Sequence, residues 1–264
     1  MRSTTRIVAA LCLSGLLGAQ GATKQESAQA VFDRLSTTLA KQTNVYQAAL
    51  KKVRGSEAYK KARADRDNAA IRELTSGIAR PDLAAMGKEA MAAAESYKGD
   101  DRALLLSWAV ANSRDNDIIR DGIKVLRENH IKSPALTPLL EQAMSISRPL
   151  GKEDSLAFLS DVIENSPHQM PRAWSLYWKA TMMARGRNVA AEVKEEADEL
   201  LAKAEKLAEG HWLADKIAGP RFKEERLQIG MVAPNIAGED IDGVKFELAD
   251  YRGKVVVLDF WGFW

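Results

Sequence analysis

The run Arg252-Gly253-Lys254-Val255-Val256-Val257-Leu258-Asp259-Phe260-Trp261-Gly262-Phe263-Trp264 decides how this chain is read. Val255, Val256, Val257 and Leu258 follow one another with no polar residue between them, and Asp259 and Phe260 come next. A half-exposed strand alternates apolar and polar side chains, whereas an unbroken apolar run of this length reads as a strand covered on both faces. Gly253 and Lys254 mark the turn into it. Such a strand needs hydrogen-bonded neighbours on both edges, and none follows it within the sequence.

Immediately before it lie Gly230-Met231-Val232-Ala233-Pro234 and then two short stretches, 236–241 and 244–248, joined at Asp242-Gly243. Asp-Gly readily takes positive φ, so the pair predicts a hairpin of two short strands. Ala249-Asp250-Tyr251-Arg252-Gly253-Lys254 then predicts a short turn into the buried strand. Taken in order, G-x-x-A-P, a D-G hairpin, L-x-D-Y-R-G-K and the apolar strand resemble the opening of a redoxin domain. The family is that of thioredoxin-fold thiol-disulfide oxidoreductases, and Trp261-Gly262-Phe263-Trp264 is most similar to its TlpA-like branch. Gly262 and Phe263 depart from the commoner Ala-Thr or Ala-Ser between the two tryptophans.

The resemblance implies a protein disulfide or thiol as substrate and a nucleophilic cysteine immediately after Trp264, so no catalytic residue is expected within the chain. It implies no cofactor. In that family a low-pKa cysteine at a helix N-terminus attacks, and a second cysteine three positions on resolves the mixed disulfide. Selenocysteine, encoded by UGA and read as stop by ordinary gene prediction, would account for a chain ending one residue before the nucleophile. A frameshift, a nonsense mutation or a deliberate cut are the competing explanations. The expected redoxin segment, truncated in this way, is 227–264.

At the other end, Arg2 and Arg6 precede an uncharged, mostly apolar run from Ile7 to Gly18, and Ala19-Gln20-Gly21 supplies small residues for a signal peptidase. This predicts a signal peptide over 1–21, cleavage near Gly21-Ala22 and an exported, periplasmic or otherwise extracytoplasmic protein, with an uncleaved anchor as the alternative reading of the same run. The run is shorter than the roughly 20 residues of a membrane span, so no transmembrane span is expected in the mature chain. The single cysteine, Cys12, lies in the segment to be removed. Residues 22–264 therefore hold no thiol with which to form a disulfide, ligate a metal or attack.

Between these ends, residues 22–226 predict helix almost throughout. Val31, Leu35 and Leu39, with Phe32 beside them, mark one buried face, which Tyr46, Leu50 and Val53 continue to a stop at Gly55. Ser56 is placed to cap a second helix carrying Tyr59, Ile71 and Leu74. Pro81 suits the first turn of a third, running through Met86, Ala90, Ala94 and Tyr97 to Gly99. Later helices are expected to start near Asp101, Pro134 and Pro171, each followed by a partner: 115–129, 153–165 and 188–209. Starts about 33 and 37 residues apart fit helical-hairpin repeats over 100–209; an irregular bundle fits the same pattern. The expected fold class is therefore mainly α. A helical-hairpin array or irregular helical bundle precedes the N-terminal β segment of an incomplete thioredoxin-like α/β domain.

Other chemistry finds little support. The 38 Lys+Arg and 36 Asp+Glu leave a net charge of +2 with the signs interleaved, so no basic stripe for nucleic acid is expected. His130, His168 and His211 are the three histidines, and no two share the helical spacing of a metal pair. Trp174, Tyr177 and Trp178, with Met182 and Met183, read as helix packing before ligand cage. The alternating charges of 194–206 predict an exposed helix laced by side-chain pairs. There is no Gly-rich phosphate loop, no Gly-x-Ser-x-Gly elbow and no His-Glu-x-x-His. The helices are left as a surface for a protein partner, either orienting a redox domain or serving as a non-catalytic interaction module with a vestigial tail.

Overall fold

The computed structural model describes residues 26–260, so the expected signal segment 1–21 and residues 261–264 lie outside the described part. Helix α1 (Ala28–Arg54) starts where the Ser27 side chain accepts a hydrogen bond from the Ala30 N–H, and stops at Gly55. It buries Val31, Leu35 and Leu50 on the expected face. Ser56 caps α2 as expected, accepting from the Tyr59 N–H. The single second helix, however, is two: α2 (Glu57–Ala64) and α3 (Asn68–Ser76). Arg66 between them has φ 56°, a left-handed conformation that halts a helix, and the Asp67 carboxylate takes the N–H groups of Ala69 and Ala70 to restart it.

Pro81 does not occupy the first turn of the next helix. Asp82 caps α4 (Leu83–Ala94) by accepting from the Ala85 N–H, which leaves Pro81 outside the cap. The helix also ends at Ala94 instead of running to Gly99; Gly99, at φ 55°, opens α5 (Gly99–Asn112). Helix α5 is central and is packed by α1, α4 and α6 (Asn116–Asn129). Its Leu105, Leu106, Trp108, Ala109 and Val110 are all buried, and each leucine-sized side chain so buried contributes about 1.5–3 kcal/mol. Helix α6 crosses α5 at Gly122, where a Cβ would run into the Val110 side chain. Only glycine leaves room at this position for the Val110 side chain.

The arm expected near Pro134 is broken into a 3-10 turn (Pro134–Leu136), the short α7 (Thr137–Leu140) and a second 3-10 turn (Ala143–Ser145). Pro138 has no N–H to give and is tolerated only in a first turn, so helix must restart around it. Helix α7 packs on α5 and on α9 (Gln169–Met183). Helix α8 (Ser147–Asn165) is interrupted at Gly151, φ 81°, so its regular part begins close to the expected residue 153. Helix α10 (Ala191–Leu207) packs along α9, and α11 (Trp212–Arg226) packs on α10. Pro220 lies inside α11, which ends at Arg226 where the helical region was expected to end. Along the charged surface of α10, Lys203 pairs with Glu199 at 3.7 Å, and Glu205 pairs with Arg221 of α11 at 2.9 Å.

The rest is a small β segment. Strands β1 (Ala237–Glu239) and β2 (Lys245–Glu247) form one antiparallel ladder with Gly238 opposite Phe246. The result is a mainly α fold with a two-stranded sheet. The stretch 255–260 is not a buried strand. Val255 is 97% exposed, Val257 88% and Phe260 79%, and no ladder includes them. A strand covered on both faces is a property of its neighbours, and no described residue lies on either edge of this one. Among the described helices none is long and apolar enough to cross a membrane.

Candidate functional site

Residues 235–254 build the entry to the segment where a redox motif would lie. The Asp240 Oδ1 accepts from the N–H groups of Asp242 and Val244, both at 2.9 Å, and Gly243 takes φ 79° to close the turn. The Asn235 Nδ2 donates to Glu247 at 2.8 Å while its Oδ1 accepts from the Ala249 N–H at 3.0 Å, tying the segment before β1 to the end of β2 and the turn after it. Glu247 and Asp250 form a capping box around the 3-10 turn Leu248–Tyr251. Lys254 lies 5.9 Å from the centre of the Tyr251 ring, and Gly253 takes φ 85°. The chain is thereby aimed into 255–260. The hydrogen-bonded turn holds no thiol, and the expected nucleophile position, next to Trp264, falls outside the described residues.

Each histidine sits at a helix end. His211 caps α11, its Nδ1 accepting from the Leu213 N–H at 3.2 Å. His168 precedes α9 without a side-chain cap, and His130 closes α6. Among the described residues no group of three or more His, Cys, Asp or Glu side chains converges as a metal site. The Nε2 of His130 is buried without a partner. Burial, aided by the nearby Arg102 charge and opposed by Asp100, pushes the His130 pKa below the usual imidazole value.

The unfolded chain protonates His130 near the ordinary value of about 6.5, and the fold protonates it only lower. Between those two values the unfolded state binds more protons, so stability is fully present above about pH 7 and falls as the pH drops through the window. Urea midpoints of the parent are expected to fall across that window, and those of His130→Gln to fall less. Equal slopes would remove His130 as the source.

The aromatic residues on α9 pack as a cluster. Trp174 is fully buried, lies 6.5 Å from Trp178 in a stacked arrangement, and meets Trp212 edge-on at 5.1 Å. The Trp178 Nε1 donates to the Leu140 carbonyl at 2.7 Å. Helix α11 supplies what the sequence reading did not place: Trp212, His211 and Lys216, whose ammonium lies 5.2–5.7 Å from the centres of Tyr177, Trp178 and Trp212. The cluster's cation position is thus filled by the chain itself. Nothing local to 210–216 announces this, because it depends on α11 folding back beside α9.

Comparison with known proteins points to the tail's class. Over 42 residues, 16% of this chain and 24% of the relative, the chain is 52% identical to the thiol-disulfide oxidoreductase ResA of Bacillus thuringiensis subsp. konkukian (strain 97-27). Against ResA of Bacillus subtilis (strain 168) it is 46% identical over 41 residues, 16% and 23% of the two chains. The chain thus spans about a quarter of the length of the curated relatives it matches. No family model matches, and no solved structure matches. These similarities support a thioredoxin-like redoxin relationship over a short region.

Proposed function

We propose that this chain is part of an exported thiol-disulfide oxidoreductase of the TlpA-like branch, in which a helical domain, 22–226, precedes a redoxin domain opened by 227–264. The observation that carries the reading is the 52% identity over 42 residues to a thiol-disulfide oxidoreductase. The hydrogen-bonded hairpin and turn leading into 255–260 agree with it. The nucleophile in this reading follows Trp264, as cysteine or selenocysteine. Its thiolate or selenolate attacks one sulfur of a partner disulfide, forms the mixed bond and releases the other sulfur as thiolate. A second cysteine three positions on then displaces the partner, which leaves reduced while the protein is left oxidised. The helical domain docks the protein partner or orients the redox domain.

A second reading has its own observation. Residues 22–264 contain no cysteine, which suits a non-catalytic helical interaction module with a vestigial redoxin tail. The nucleotide sequence past the Trp264 codon separates the two. The redox reading expects a cysteine codon or UGA there, followed in frame by a second cysteine three positions on and the remaining redoxin strands. Any other codon, or no such continuation, leaves the interaction module. Where UGA is found, selenium in the native protein by mass spectrometry completes the assignment.

A further inference from the structure

The helical body carries a groove that the redox chemistry does not use. Helix α1, the C-terminal end of α5, Pro138 of α7 and Gln142 just after it line two hollows of about 470 and 530 Å³ that share Leu39, Thr43, Asn112 and Gln142 on their walls. Helix α1 lines them from Phe32 to Gln47, a length of about 22 Å at the helical rise. That matches about six or seven residues of extended chain.

The chemistry changes along this length. Phe32, Leu39 and Trp108 give an apolar floor, with the Trp108 indole held by its Nε1 to the Ser36 hydroxyl at 2.9 Å. Asn44, Gln47 and Gln142 stand exposed on the walls, and their side chains make no hydrogen bond among the described residues. Each offers an N–H donor and a C=O acceptor, the complement of a peptide group. At one end Arg80 and Arg114 are exposed, with Arg80 lying 6.0 Å from the centre of the Tyr46 ring. Neither guanidinium has a carboxylate partner among the described residues. The neighbouring Asp82 and Asp115 each turn their Oδ1 to a helix cap, of α4 and α6, and neither pairs with an arginine among the described residues. No Asp or Glu lines either hollow, in a chain with 36 of them.

We infer that this groove binds an extended acidic segment of a partner protein. Its backbone lies against Asn44, Gln47 and Gln142, its apolar side chains on the Phe32–Trp108 floor, and its carboxylates at Arg80 and Arg114. The inference rests on the docking role given to the helices above and gives that role a location and a ligand charge. Guanidinium–carboxylate pairs are the strong, directional form of such recognition, and an amide isostere of the ligand cannot form them.

Fluorescence anisotropy of the full chain with two labelled octapeptide pools tests it. One pool carries Asp and Glu at two positions; the other carries Asn and Gln in their place. The acidic pool is expected to bind at least about tenfold more tightly, with the difference shrinking as salt is raised. The double variant Arg80→Gln with Arg114→Gln should erase the difference and leave the amide pool as it was. Asn44→Ala with Gln142→Ala should weaken both pools. All four side chains are exposed, and circular dichroism of each variant checks that the fold is intact. Equal binding of the two pools overturns the inference. A preference that survives the arginine variant places docking elsewhere on the helices, so the groove falls while the docking role stands. No binding of either pool removes both. Self-association of the chain that the same variants dissolve makes the groove a contact between copies and overturns the partner assignment.

Discussion

A purified polypeptide of residues 22–264 is expected to reduce no insulin disulfide above a boiled sample. Disulfide exchange starts with a thiolate, and its rate scales with the fraction of that thiolate present. The chain's one cysteine is Cys12, which such a polypeptide lacks, so the starting species is absent and not merely depleted. The expected effect is a complete loss relative to a redoxin carrying its cysteine pair. Turnover above the boiled control would mean that some other group opens the disulfide, and the assignment of the chemistry to the position after Trp264 would be wrong.

The second large effect is structural. Trp174→Ala is expected to destabilise the helical domain by about 3–5 kcal/mol, as large aromatic deletions from cores do. Trp174 has no solvent exposure and touches both Trp178 of its own helix and Trp212 of α11. Its loss therefore opens a void and uncouples the last helix at once. Trp174→Phe should cost much less. Phe keeps one ring in place and removes an indole N–H that is buried without a partner, a liability of about 1–3 kcal/mol. Urea unfolding followed by circular dichroism measures both. Trp174→Ala within about 1 kcal/mol of the parent would show that the site collapses to fill the void and that the cluster is not a keystone of α9 and α11.

Some of this architecture needs no tertiary structure to be read. Ser27, Ser56 and Asp115 cap helices because each side-chain oxygen accepts from a backbone N–H two or three residues on. The Asp242-Gly243 turn closes for an equally local reason, since Gly243 reaches positive φ without steric cost. Interactions spanning a few residues are written in the order of those residues. The sequence motifs around Gly230 and Tyr251 likewise pointed to the redoxin class that the similarity to ResA supports.

What escaped the sequence involves competition or distance. The break at Arg66 and the cap at Asp82 were each contests between neighbouring signals, won by a carboxylate able to take up free N–H groups. Trp212 and Lys216 join Trp174 only because α11 returns alongside α9 and α10, and the Arg80–Arg114 end of the groove unites residues 34 positions apart in sequence. The run 255–258 shows the same limit from the other side. Its composition determines that it suits a buried strand, but burial and pairing come from neighbouring strands. Without such strands among the described residues, Val255 and Val257 stay in solvent. Hydrogen-bond partners beyond a few residues and the covering of an apolar face are set by which segments meet, and only the tertiary structure decides that.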